Sequence, residues 1–432
     1  NLAYKAEALN PQITQKDVDL AKAELLPHLD VSTSLTGIDK VRAENSFGMQ
    51  GRINWLVTGS LSQLIYSEPA LANVTIQKLL NKSSEAKLLE EQLDLVVNTA
   101  SAYLNILQAE SFVRIQNENT IVTQENLDIA QAKEAVGYSG TTDLNRWRSE
   151  LALRNIDLND ANAQLHQAKF QLNQILNRPI NEVFATEDAQ LEDQMLLVTD
   201  DRIDLVNNYG ELQKFADFMV TEAMKQLPEL SQIDYGISVQ ERLQLSRERA
   251  FYLPSVALSG NLDRPLSKVS VVGPVPAADN TSQWSIGVGV QYPILQGGRR
   301  KHNLEQTQLD LLQLRHQRAD LRNQLEFRIR ASLETAAASF SRVDLSKTAA
   351  DAAQKNFEII QDSYSQGLVN VTALIDAQNA ALQTELSAVN ALYTFIIDFL
   401  VLERSMGFFY FMASPAEQDA FFERLVNFLG TH

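Results

Sequence analysis

The residues able to do chemistry are dispersed. The chain has no cysteine, which removes disulfides, thiolate nucleophiles and sulfur-ligated metals. His28, His166, His302, His316 and His432 are scattered, with no spacing that would pair two as metal ligands or set one beside a nucleophile. The carboxylates recur at helical spacing with lysine and arginine and read as solvated faces. Gly297-Gly298-Arg299-Arg300-Lys301 resembles a phosphate loop only in composition, because the glycine and lysine spacing of such loops is missing. No catalytic constellation results, and the sequence calls for no enzyme activity, cofactor or metal. A formal charge of −17 also disfavours a nucleic-acid partner by repulsion.

The elements that would position any site are unusual. Ala70–Val136 and Arg299–Gln366 contain neither glycine nor proline, so each predicts one helix of roughly 70 residues and about 100 Å. Pro69 and Gly298 precede these rods, and Gly137 and Gly367 follow them. Along the first, Leu89, Leu93, Val96, Ala100, Tyr103 and Leu107 recur near heptad spacing. In the second, Ala336, Ala337 and Ala338 are among many small residues that permit close helix packing. Each rod turns at its glycine into a shorter helix, Thr141–Asn177 or Leu368–Met406, with Thr or Asp expected to cap the first of these. The rods therefore read as antiparallel hairpins.

Between helices the period changes to two. Leu29, Val31, Thr33 and Leu35 share one face, and Trp55 and Val57 continue a second strand that starts at Phe47. Val256, Leu258 and Leu262 mark a third; Trp284, Ile286, Val288, Val290 and Tyr292 mark a fourth opposite Ser285, Gly287 and Gly289. A proline-containing loop is expected from Arg264 to Asn280. Such strands suit either half of a soluble sandwich or a transmembrane barrel, in which Trp55 and Trp284 would form an interfacial belt. A barrel must close, and four strands cannot close alone, so several chains would have to share it. No helix is expected to span a membrane: the most apolar run, Tyr393–Leu402, is short and contains Asp398. The chain opens at Asn1 and reads as processed or trimmed, so a missing leader says nothing of location.

The order of elements occurs twice. Asn10-Pro11-Gln12-Ile13 is echoed by Leu227-Pro228-Glu229-Leu230, Gly137 by Gly367, Thr142-Asp143-Leu144 by Thr372-Ala373-Leu374, and Leu176-Asn177 by Met406-Gly407. The expected fold is α+β with two structural repeats, 1–179 and 227–407. A connecting, equatorial segment 180–226 lies between them, and 408–432 packs at the same waist. The strands fall at about 28–37, 47–65, 255–263 and 283–293. The long helices cover about 69–136 and 299–366, and the return helices about 141–178 and 368–406.

With these features, above all Asn10-Pro11, Leu26-Pro27 and Tyr292-Pro293-Ile294-Leu295-Gln296-Gly297-Gly298 before the second rod, nearly the whole chain resembles the TolC-type outer-membrane efflux duct family. The resemblance implies a homotrimer whose strands close one β-barrel in a Gram-negative outer membrane, continuous with a helical barrel through the periplasm. It implies an inner-membrane pump and a periplasmic adaptor (membrane fusion protein) at the hairpin tips, with contacts at Val136, Gly137, Tyr138, Gln366, Gly367 and Leu368. Such a duct passes drugs in a tripartite efflux pump, or proteins in a type I secretion system, without performing catalysis. The resemblance also carries a tip gate onto Tyr364, Thr142, Asp143 and Asp376. Val369 and Ala373 depart from the family's Arg and Asp, leaving Tyr364 with Asp143 as the expected latch and an Asp376 ring as the constriction. Asp143 and Asp376 also suit the plainer role of helix-start carboxylates. Trp55, Trp284, Tyr292, Arg299 and Arg300, with Lys301, would meet outer-membrane lipid, the basic residues at headgroup phosphates or merely in solvent. The alternative outside this class is a soluble coiled-coil scaffold capped by a small β sandwich.

Overall fold

A computed structural model describes residues 1–46, 50–137, 140–186, 209–269 and 281–431. The helices are α1 (Leu2–Glu7), α2 (Asn10–Ala23), α3 (Lys40–Asn45), α4 (Glu68–Ala135), α5 (Thr141–Leu176), α6 (Tyr209–Gln226), α7 (Pro228–Arg249), α8 (Arg299–Ser365), α9 (Val371–Met406) and α10 (Pro415–Thr431). The strands are β1 (His28–Gly37), β2 (Ile53–Tyr66), β3 (Ser255–Val269) and β4 (Gln283–Gln291).

The two rods are continuous helices of 68 and 67 residues. Pro69 sits in the first turn of α4, where its missing N–H leaves no bond unmade. Gly367 ends α8 with φ +76°, a conformation disfavoured by any side chain. There the Leu368 N–H bonds to Ser363 O at 2.9 Å and the Gly367 N–H to Tyr364 O at 3.0 Å, the paired bonds of a Schellman stop.

The chain forms two compact units, each built from both halves of the sequence. One comprises Ala8–Lys87 and Ser231–Ala319; the other comprises Asn1–Glu7, Leu88–Leu230 and Asp320–His432. The first holds an antiparallel sheet in the order β1-β2-β3-β4. At its strand-to-helix exit the buried Glu68 carboxylate takes bonds from Arg242 at 2.8 Å and Arg249 at 3.3 Å.

Two sequence expectations need correction here. β2 begins at Ile53, not at residue 47; Phe47 and Met49 lie outside the described residues. Residues 264–269, expected in a loop, continue β3 through Pro265. The sheet admits this proline because the register slips between Trp55 and Leu56, opposite Ser267 and Pro265, and a bulge tolerates a missing donor. The polar stretch after β1 contains α3, whose first turn is capped by Asp39 accepting the Arg42 N–H at 2.9 Å. The loop to β4 and residues 187–208 of the connecting segment lie outside the described residues.

In the second unit, Phe218 and Met219 of α6 pack with Ile329 and Leu333 of α8, Leu402 of α9 and Leu425 of α10. Phe218 meets Phe421 and Phe428 of α10 with ring centroids 5.5 Å apart. α9 is the one helix among the described residues long and apolar enough, by length and composition, to cross a membrane, contrary to the sequence expectation. Its apolar residues have a different destination: Phe395, Ile396 and Leu400 pack on Leu104 and Leu107 of α4, as in the core helix of a bundle.

Candidate functional site

The residues with a proposed tip role lie where α4 and α8 end and α5 and α9 begin. A buried cluster joins Leu127 and Ala130 of α4, Leu144 and Trp147 of α5, Phe357 and Tyr364 of α8, and Leu374 and Ala377 of α9. Trp147 is 0% exposed and Tyr364 5%. Burial pushes the Tyr364 phenol above its ordinary pKa; the Trp147 indole N–H directed at the hydroxyl opposes the push, and the Asp143 charge adds to it. Neither the hydroxyl nor the indole nitrogen closes a hydrogen bond of ordinary length and angle. The expected Tyr364–Asp143 latch is therefore not a hydrogen bond within the chain; the carboxylate acts on the phenol only through its charge.

Tyr364 is instead held by Lys133 of α4. Its ammonium donates to the Tyr364 carbonyl at 2.7 Å and lies 4.2 Å above the ring centroid. Further cross-helix bonds lie alongside. Arg146 of α5 donates to the Thr372 hydroxyl of α9, and Arg154 to Asn379 at 2.5 Å. Deeper, Gln378 of α9 donates to Asn119 and Thr123 of α4, both at 2.7 Å, within a buried amide layer. Lys133, Arg146 and Trp147 were not singled out in the sequence: the lysine's partner is a backbone carbonyl, which leaves no pattern in residue types.

Thr142 is exposed and Asp143 half-buried in the first turn of α5. The cap is Gly140, which offers no side chain, so neither residue fills the expected capping role. At the second tip Asn370 caps α9 by accepting the Ala373 N–H at 2.9 Å. Asp376 is exposed one turn beyond Thr372. Val136, Gly137, Gln366, Gly367 and Leu368 are all exposed at the turns, while Tyr138 lies outside the described residues.

A second polar centre lies at the far end of α9. Glu403 is 1% exposed; one oxygen accepts the Tyr410 N–H at 2.9 Å and the other has no hydrogen-bond partner among the described residues. Burial pushes its pKa up to about 8, against the smaller pull of that N–H. The adjacent Arg404 turns instead to Asp94 and, at 3.2 Å, to Glu229, which Arg328 also reaches at 2.9 Å. Burial pushes Glu229 upward, but its bonds to Arg328 and a backbone N–H and the Arg404 charge hold it below its ordinary value.

In the other unit, register divides the sheet into two faces. Val31 stands opposite Gly59, Gly59 opposite Leu262, and Leu262 opposite Trp284. Leu29, Val31, Leu35, Trp55, Val57, Leu61, Val256, Leu258, Leu262 and the apolar residues of β4 thus form one face. Asp30, Ser32, Ser34, Thr58, Ser60, Ser259, Asn261, Asp263, Ser285, Gly287 and Gly289 form the other, with Leu56 and Leu64 as apolar exceptions on it. The Thr58 hydroxyl donates to Asp263 at 2.6 Å across the polar face. The apolar face lies open: Leu29 is 74% exposed and Trp284 75%. Among the described residues, β1 and β4 are both edge strands, each paired on one side only.

The aromatic and basic residues fall at the two ends of the sheet. The Trp55 indole donates to the Thr33 hydroxyl at 2.8 Å near the β1–β2 connection, and Trp284 lies at the start of β4. Tyr292, just past the other end of β4, donates to Phe251 O at 2.6 Å, and the Arg300 guanidinium sits 5.0 Å over its ring while donating to Pro293 O. Arg300 is therefore engaged within the chain. Arg299 is exposed, and Lys301 makes only an exposed ion pair with Glu305 at 3.7 Å.

Comparison with known proteins covers both units. Residues 2–178 and 238–407 match the sequence model of the family described as outer membrane efflux protein. The chain is 22% identical over 413 residues to the outer membrane protein TolC of Escherichia coli strain K12, over 94% of this chain and 80% of the relative. Its fold is similar to the Campylobacter jejuni CmeC outer membrane channel, with a TM-score of 0.72 at 17% identity over 98% of this chain and 86% of that one. It is equally similar to the open state of the Neisseria gonorrhoeae MtrE outer membrane channel, with a TM-score of 0.72 at 16% identity over 94% and 86% of the two chains.

Proposed function

This chain belongs to the outer membrane efflux protein family, and we propose that three copies of it form a passive exit duct. In this reading the sheets of the three copies close one barrel in the outer membrane, and the helical hairpins, taken as structural repeats, line a periplasmic tunnel. An inner-membrane transporter supplies the energy, a periplasmic adaptor docks at the exposed tips, and drugs or secreted proteins leave through the bore. No step of this function makes or breaks a covalent bond.

One observation carries the reading. The sheet exposes a largely apolar face while, among the described residues, both of its edge strands lack a second partner. A sandwich would need a second sheet on that face, and none covers it among the described residues. In lipid an open sheet edge would leave backbone groups unpaired, so β4 of one copy must meet β1 of the next. From Trp284 to Tyr292 the chain advances roughly 27 Å, or about 20 Å of height at a ~40° tilt, near the ~25 Å apolar band of such barrels. The two tryptophans then mark one interface, and Tyr292 with Arg299 and Arg300 the other. At the periplasmic tips, Tyr364, Thr142, Asp143 and Asp376 form the gate and constriction.

Reconstitution in a planar bilayer tests the reading. Detergent-extracted protein should run as a trimer and insert in uniform conductance steps. A monodisperse, detergent-independent monomer that leaves the bilayer silent would refute it.

A further inference from the structure

Two cations of the first hairpin reach the tip of the second: Arg146 of α5 donates to the Thr372 hydroxyl of α9, and Lys133 of α4 engages Tyr364. Tyr364 lies in the last turn of α8, and its carbonyl already takes the Gly367 N–H that closes the turn. The Lys133 ammonium reaches the same carbonyl at 2.7 Å and covers the ring face at 4.2 Å. Trp147 of α5, fully buried, closes the far side of the ring's hydroxyl. A cation at the carbonyl end of a helix meets the negative end of its dipole, and a cation over a phenol ring gains from the ring quadrupole. One lysine of α4 therefore makes both attractive contacts to α8. Apart from the Trp147 indole N–H and the Asp143 charge at its hydroxyl, Tyr364 is surrounded in this cluster by apolar packing.

We infer that Lys133 is the positioning residue that fixes the α8–α9 turn against the end of α4, and that releasing it lets this turn swing and widens the tip of the duct. This rests on the channel reading above, with Lys133 as an addition to the gate residues named there. The arrangement separates two roles. Trp147 and its neighbours give the tip a dry core, which survives loss of the lysine. Lys133 supplies a directional, removable tie to the end of α8, while the Arg146–Thr372 bond reaches α9.

The test uses full-length trimers carrying Lys133→Met, which keeps the stem length and removes the ammonium, and Lys133→Arg, which keeps the charge and can still donate and stack. Two readouts are taken. One is single-channel conductance. The other is the distance between spin labels on Val136→Cys and Leu368→Cys, both exposed tip positions in a chain with no other cysteine, in trimers diluted with unlabelled chains. K133M should raise mean conductance at least twofold and broaden the label distances, with trimer yield and melting unchanged, while K133R stays at the parent values. Parent-like conductance and distances in K133M would overturn the inference, as would a K133R variant as open as K133M. If K133M fails to assemble, Lys133→Gln takes its place: it can donate to the carbonyl but carries no charge, and parent-like behaviour there counts against the clamp. If the parent itself gives no current, the channel reading fails, while the label distances still decide whether Lys133 holds the turn.

Discussion

Burial of Glu403 ties the stability of the fold to pH. Folded, Glu403 keeps its proton up to about pH 8, whereas in the unfolded chain it ionises near the ordinary glutamate value of 4.5. Between these two values the folded state holds a proton that the unfolded state has released, so stability falls as pH rises through that window. The parent should melt at a lower temperature at about pH 8 than at about pH 5, and Glu403→Gln should flatten this dependence and melt above the parent at the higher pH. An unchanged pH profile in the variant would assign the effect elsewhere. Arg404→Met tests the neighbouring charges. It leaves Glu229 with Arg328 alone, and should cost about 2–3 kcal/mol in unfolding free energy, less than the ~3–5 for a fully orphaned buried charge. At this scale the sequence was least informative. Tyr364 could be picked out by position, but its partners could not. A lysine that bonds a backbone carbonyl leaves no trace in residue types, nor does a glutamate buried without a counter-charge.

The elements were far more legible, because their signals are periodic. Alternation assigned Leu29, Val31, Trp284, Ile286 and Val288 to one face, and the strand register places them there. Breakers worked in one direction only. Gly367 does end α8, since a left-handed residue stops any helix. Pro265 does not end β3, because a bulge absorbs it, and a bulge depends on a partner strand far away in the chain. Hydropathy misled at α9, where counting unbroken apolar residues hid a helix apolar enough to be a span. The two faces of β4 give a paired prediction. Val288→Lys puts an ammonium on the apolar face at mid-strand and should cost about 2–4 kcal/mol per chain, read as loss of trimer from the outer-membrane fraction. Ser285→Lys, on the opposite face, should leave trimer yield near the parent's. Equal damage from both would show that the faces are not differently solvated.

For the molecule as a whole, the lengths of the two rods were visible because glycine and proline are rare enough to punctuate the chain. The division into two compact units was not, since each draws on segments far apart in sequence. The formal charge of −17 per chain leads to a global expectation: with acidic groups around its bore, the duct should prefer cations, an effect that weakens as salt screens the field. Reversal potentials across a salt gradient measure this directly, and an anion preference would contradict it. The blank margins of β1 and β4 also have a genetic consequence. If three copies close one barrel as proposed, each must complete its neighbours, and a subunit spoiled along one margin ruins every ring it joins. Expressed in equal amounts with the parent and mixing at random, such a subunit should leave only about one ring in eight wholly sound. Damage to these strands should therefore be dominant in a cell that still carries a good copy.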